Sequence, residues 1–101
     1  MHIHNVYFWL KEGLEASDIA AFETGVASLC GDQAVQSGWY GPPAKTDRDV
    51  VENSYSYGMV LVFEDLAAHD LYQEGVVHLK FVADHLAKWD RVVVHDVETA
   101  A

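Results

Sequence analysis

From Ile3 to Leu10 the chain alternates along two faces, His2/His4/Val6/Phe8/Leu10 and Ile3/Asn5/Tyr7/Trp9, and neither face is simply polar. Side chains two apart share one side of a strand, so this pattern predicts a strand covered on both sides, closed by Lys11-Glu12-Gly13. Ile19, Phe22, Val26 and Leu29 then recur at helical spacing, with Ser17 as the expected N-cap and Gly31 as the C-cap. Ala34 to Tyr40 reads as a second strand ended by Gly41-Pro42-Pro43, and Ala44 to Asn53 as a polar loop. Tyr55 to Phe63 is the clearest strand, with Tyr55, Tyr57, Met59, Leu61 and Phe63 on one face and Gly58, Val60 and Val62 on the other. Asp65 caps a short helix running to Tyr72. After Gly75 a further helix extends to about Lys88, with Leu79, Val82, Leu86 and Trp89 as its expected apolar arc. Arg91 to Val97 is the last strand.

The order β-α-β-β-α-β is that of the ferredoxin-like split βαβ unit, an α+β fold with a four-stranded antiparallel sheet. Helices on one face of such a sheet leave the other face bare. Strands one, three and four carry apolar residues on both faces, so the economical cover is a second copy packed sheet to sheet as a two-fold dimer. The 101 residues form one domain, with half of them hydrophobic and no internal repeat or linker.

Charge narrows the partners. Sixteen acids against six Lys and Arg give a formal charge of -10, which opposes nucleic acid and anionic membranes. No apolar run approaches membrane-spanning length, and the N-terminus lacks the basic region of a signal peptide. With the lone Cys30 beside Gly31, no internal disulfide is available, and the expected compartment is the cytoplasm. No phosphate loop, nucleophile elbow or CxxC pair occurs, so no cofactor is expected.

Most of the chemistry lies in Leu71-Tyr72-Gln73-Glu74-Gly75-Val76-Val77-His78. Tyr72 and His78 lie either side of a glycine that separates two helical segments. The break lets two proton-carrying side chains converge, which six steps along one unbroken helix would turn apart. His78 then suits a base or proton shuttle, and Tyr72 a hydrogen-bond donor to a carbonyl or enolate oxygen. A small apolar pocket around them is expected to draw on His4, Val6, Phe8, Phe22, Phe81 and Trp89. His2 and His4 share a strand face at a spacing that can serve a metal, but His95 gives no third ligand by spacing, so no stoichiometric metal is expected. Adjacent His95 and Asp96 point to opposite faces and form no dyad. His69 and His85 read as structural or solvated, His85 towards the solvent side of its helix.

The opening Ile3-His4-Asn5-Val6-Tyr7-Phe8, the run Arg48 to Tyr57 and the run Tyr72 to Trp89 resemble the Dabb family of stress-responsive A/B-barrel domains, over roughly Ile3 to Glu98. The resemblance implies a dimeric α+β barrel of ferredoxin-like topology. Family function varies, from plant boiling-stable stress proteins to a polyketide cyclase related to olivetolic acid biosynthesis. In that cyclase a tyrosine and a histidine carry an aldol cyclisation, and by motif position they fall on Tyr72 and His78, with a strand histidine falling on His4. Where the family commonly writes His-Pro before the histidine, this chain has Gly75-Val76. Two functions follow as expectations. One is a homodimeric module binding a small apolar or carbonyl-containing molecule. The other is a cofactor-free enzyme, an aldol-type cyclase or, less readily, a monooxygenase.

Overall fold

A computed structural model describes residues 1–100, with elements β1 (His2–Leu10), α1 (Ala16–Cys30), β2 (Ser37–Gly41), β3 (Tyr57–Phe63), α2 (Leu66–Glu74), α3 (Val76–His85) and β4 (Trp89–Glu98), a single 3₁₀ turn (Leu86–Lys88) leading into β4. The sheet is antiparallel in the order β2-β3-β1-β4. That order is ferredoxin-like, as the element sequence predicts. The α-helices lie on one side, and the molecule is a slab of 41 × 36 × 17 Å.

Register follows the alternation. Cross-strand neighbours share a face, so the pairs His4–Asp96, Val6–Val94 and Phe8–Val92 place these side chains under the helices, alongside Met59, Leu61 and Phe63. The core joins that row to Phe22, Val26 and Leu29 of α1, Tyr72 of α2 and Phe81 of α3. Ile3, Tyr7, Trp9, Val60, Val62 and Val93 occupy the outer face, where no helix lies, and they are only partly buried.

Several boundaries differ from the sequence reading. Glu15, not Ser17, is the N-cap of α1, and it caps without a side-chain hydrogen bond, so Ser17 falls inside the first turn. Strand β2 begins at Ser37 because Asp32 instead organises a turn, accepting from the Ala34 amide at 2.9 Å through Oδ1. Strand β3 starts at Tyr57. Asp65 caps α2 as expected, its carboxylate accepting from the Ala68 amide at 2.9 Å.

The larger difference is in α3. Leu79 and Leu86 are 57% exposed, whereas Phe81 and His85 are buried. The inward face is therefore His78, Phe81, Val82 and His85, a spacing of three, one and three. His85 is not on the solvent side: its ring packs against Phe22 and Phe81, with centroids 5.7 and 5.0 Å away. Lys88 Nζ donates to His85 Nδ1 at 3.1 Å, which fixes a neutral ring protonated on Nε2. Burial, and next the Lys88 charge, hold its pKa below the ordinary value.

This packing depends on Gly25 in the middle of α1. A Cβ there would lie 2.6 Å from His85 Nε2 and 3.1 Å from Phe81 Cδ1. In an open helix Gly→Ala gains about 1 kcal/mol. Here Gly25→Ala should destabilise by about 1–3 kcal/mol, as overpacked cores do. In a His85→Ala background the same substitution should become neutral or stabilising. Chemical denaturation of the four proteins checks this, and additive effects would show that the two residues do not meet.

The neutral ring also sets a pH dependence. As pH falls below the ordinary histidine value, the unfolded chain takes up a proton that folded His85 refuses. Stability is full above about pH 6.5 and declines as pH drops towards the lower folded-state value. The urea midpoint should therefore fall less steeply between about pH 7 and 5 in His85→Leu than in the parent chain.

Candidate functional site

The turn between α2 and α3 is made by residues that end one helix and start another. Gly75 adopts φ -73° and ψ 157°, an extended geometry open to any residue, so its backbone freedom is not what the turn requires. Its amide donates to the Tyr72 carbonyl at 3.1 Å, and its carbonyl accepts from Leu79 to open α3. A Cβ at this position would sit 3.2 Å from the carbonyl oxygens of Leu71 and Tyr72, so a small residue suits it. Val76 is the first residue of α3 and is exposed, a position where proline is well tolerated. Gly75-Val76 thus preserves the helix break that a His-Pro pair would make.

The break brings Tyr72 and His78 together, with ring centroids 5.0 Å apart. His78 Nδ1 lies 3.0 Å from the Gln73 carbonyl oxygen. A carbonyl only accepts, so Nδ1 carries the proton and Nε2 keeps a lone pair. Burial is the main reason the His78 pKa lies below its ordinary value, so the ring is neutral near pH 7. The Tyr72 hydroxyl is pushed the opposite way, well above the usual phenol range, again chiefly by burial. It stays protonated and can donate. The two groups therefore have complementary roles, an acceptor on His78 and a donor on Tyr72.

Both line a cavity of about 160 Å³ between the sheet and the helices. Its walls include His4, Val6, Phe8, Phe81 and Trp89, which the sequence had placed there. Phe22 is not among them: it is fully buried behind Phe8 and Phe81, with centroids 5.1 and 5.8 Å away. The sequence reading missed Leu29, Met59, Gln73, Val82, Val92 and Val94. Val92 and Val94 could have been found by carrying the inward face of β1 across to β4. Trp89 lines the cavity with its ring, while its Nε1–H is buried without a hydrogen-bond partner. Val94 is half exposed, and the cavity opens to solvent.

His4 stands at one end, its ring centroid 6.0 Å from that of Tyr72. Its Nδ1 lies 2.6 Å from Asp96 Oδ1 on the neighbouring strand. Burial lowers the His4 pKa despite that carboxylate, which acts in the opposite direction. His2 and His69 gather around the same carboxylate, while His95 lies on the outer face, as strand alternation requires.

A second cavity, of about 330 Å³, lies on the outer face of the sheet, lined by Tyr7, Trp9, Glu52, Tyr55, Arg91, Val93 and His95. Arg91 stacks over the Trp9 ring at 4.6 Å, and Trp9 Nε1 donates to Ser54 Oγ at 3.0 Å. These contacts anchor part of the long β2–β3 loop to the bare side of the sheet.

Comparison with known proteins agrees with this architecture. A Dabb family protein with a ferredoxin-like fold from Mesorhizobium loti superposes with a TM-score of 0.79 at 20% identity, over 99% of this chain and 97% of that one. A dimeric ferredoxin-like protein of unknown function from Thermobifida fusca gives 0.78 at 13% identity, covering 97% and 90%. The hydroxynitrile lyase of Passiflora edulis gives 0.78 at 15% identity, covering 95% and 90%. At these identities the likeness concerns the fold. No curated protein matches by sequence. The family model for the stress responsive A/B barrel domain matches residues 3–99, nearly the whole described chain, and the protein belongs to that family, Dabb.

Proposed function

We propose that this protein is a homodimeric domain that binds a small, largely apolar carbonyl compound in the cavity at Tyr72 and His78. The observation that carries this reading is the pairing of a protonated Tyr72 with a neutral His78, in a cavity walled, apart from His4 and Gln73, by aliphatic and aromatic side chains. A few placed polar groups in an apolar recess are what orients a small ligand. Tyr72 O–H suits a ligand oxygen, and the His78 Nε2 lone pair suits a ligand proton.

The same pair supports an enzymatic reading. Neutral His78 can withdraw a proton next to a carbonyl, and Tyr72 can stabilise the enolate oxygen that forms. An aldol-type ring closure needs both acts, and a cyclase is the second reading. That a hydroxynitrile lyase has this fold supports an enzymatic use of the scaffold. Titration with small aliphatic and aromatic ketones and β-diketones, followed by amide NMR shifts, separates the readings. His78→Ala and Tyr72→Phe should each weaken binding at least tenfold while leaving a cooperative unfolding transition. Losing one partner of a buried polar contact costs about 1–3 kcal/mol, which an ordinary domain survives. If the protein is a cyclase, His78→Ala should lower turnover of a β-polyketide by about 10²–10⁴. Unchanged binding by both folded variants would remove the cavity reading altogether.

Dimerisation is proposed through the outer face of the sheet. A slab 17 Å thick is one sheet and one helix layer, which leaves Ile3, Tyr7, Trp9, Val60, Val62 and Val93 without a second layer. The Thermobifida relative is described as dimeric, in keeping with this arrangement. Val60→Glu should give monomers or insoluble protein in light scattering, whereas Leu66→Lys on exposed α2 should leave the mass unchanged. A monomer of the parent chain at micromolar concentration would reject the dimer.

A further inference from the structure

Next to the cavity, His2 and His4 of β1, His69 of α2 and Asp96 of β4 converge, each offering a donor atom within 4.8 Å of the other three. We propose that they form a four-ligand site for a divalent transition ion of the zinc class. The sequence reading expected no metal because strand spacing supplies only two histidines. The fold supplies the other two ligands: antiparallel pairing sets Asp96 opposite His4, and the first turn of α2 lays His69 over both rings.

Three features favour a site over a chance grouping. First, the donor set is one that zinc prefers: imidazole nitrogens with one carboxylate. A tetrahedral shell with bonds of about 2.0–2.2 Å has ligand atoms roughly 3.4 Å apart, so a group held within 4.8 Å needs only a small contraction. Second, the imidazoles crowd one another without satisfying one another. The His2 and His69 centroids are 4.3 Å apart and those of His4 and His69 are 4.9 Å apart. His2 Nε2 is buried, lies 3.1 Å from Asp96 Oδ1 but out of line for a hydrogen bond, and has no other partner. A buried polar atom without a partner costs free energy, and a metal bond would remove that cost. Third, two of the three histidines are already held by carboxylates. Asp96 holds His4 at 2.6 Å, and Asp70 Oδ1 lies 3.1 Å from His69 Nδ1, which leaves His69 Nε2 a lone pair met by a long 3.4 Å contact from the Gln73 side-chain amide that a metal would displace. A carboxylate that orients a ligating histidine from outside the shell, as Asp70 does for His69, is usual around bound zinc.

Four protein ligands would close the coordination shell, so the ion would act as a staple. It would join β1, the edge strand β4 and helix α2, elements far apart in sequence. This goes beyond the cavity reading, and its test uses metal alone, with no turnover. The full-length chain, freed of any affinity tag and stripped with chelator, is titrated with Zn²⁺ and with Co²⁺. The expected result is one ion per chain, a rise in Tm on adding Zn²⁺, and the visible absorption of four-coordinate Co²⁺. His69→Gln and Asp96→Asn should each weaken binding at least tenfold, while His95→Ala on the outer face should not. His69 is the decisive position, since chelation by the strand end carrying His2 and His4 would survive its loss. Circular dichroism of each stripped variant establishes folding first, and His2→Asn serves if His69→Gln unfolds. Absence of one-to-one binding, or binding unaffected by His69→Gln and His2→Asn, would overturn the proposal.

Discussion

A sheet of four strands has two faces, and this chain has enough helix to cover only part of one. Helices α1, α2 and α3 lie over β2, β3 and β1, while β4 is an edge whose helix-side residues Val94 and Asp96 stay exposed. The shortfall of helix over sheet leaves the outer face unlayered, with part of the β2–β3 loop held against it where Ser54 accepts from Trp9 and Tyr55 packs on Tyr7 and Trp9. It also leaves a gap beside β4 on the helix side, where the cavity opens and where Asp96 meets the histidines. Both consequences come from a single deficit in cover.

Burial then sets the chemistry inside that gap. The same desolvation acts with opposite effect on the two kinds of group: it disfavours the cationic form of His4, His78 and His85, and the anionic form of Tyr72. All four are therefore neutral near pH 7 in a chain with a formal charge of -10. The acidic excess stays at the surface, and Asp96, which reaches the histidines from an exposed edge, is kept ionised by its contacts with them.

How much of this was legible depends on which pattern had to be read. Alternation over His2–Leu10 and Tyr57–Phe63 gave both faces of both strands, and the break at Gly75 gave the convergence of Tyr72 and His78. Helix α3 misled because Leu79 and Leu86 are strong apolar markers at helical spacing, yet both face solvent. Its true inner face is written with two histidines, which pattern reading counts as polar. A signal was present on the other helix: Gly25 interrupts α1 at a position one residue from the buried Val26, where only a close neighbour justifies the lost helix propensity. That neighbour is His85. The histidine cluster was less accessible, because Asp96 is 92 residues from His4 and joins it only through the β1–β4 register.

The cavity and the histidine cluster share His4, so they are mechanically one region. Its ring lines the cavity while Nδ1 is held by Asp96, and the ring centroid of His69 lies to one side of the His2–His4 pair, 4.3 and 4.9 Å from their centroids. His69 is also one helical turn before Tyr72, so the position of α2 sets both the cover over the cluster and the location of the phenol. Any displacement of α2 away from β1 would open both at once. The Gly75 turn limits such movement from the other end, because His78 grips the Gln73 carbonyl across it. The donor–acceptor pair is thus held between two fixed points, the β1–β4 pairing at Asp96 and the α2–α3 turn. That preorganisation is what a small cavity needs if it is to orient a ligand without first ordering its own walls.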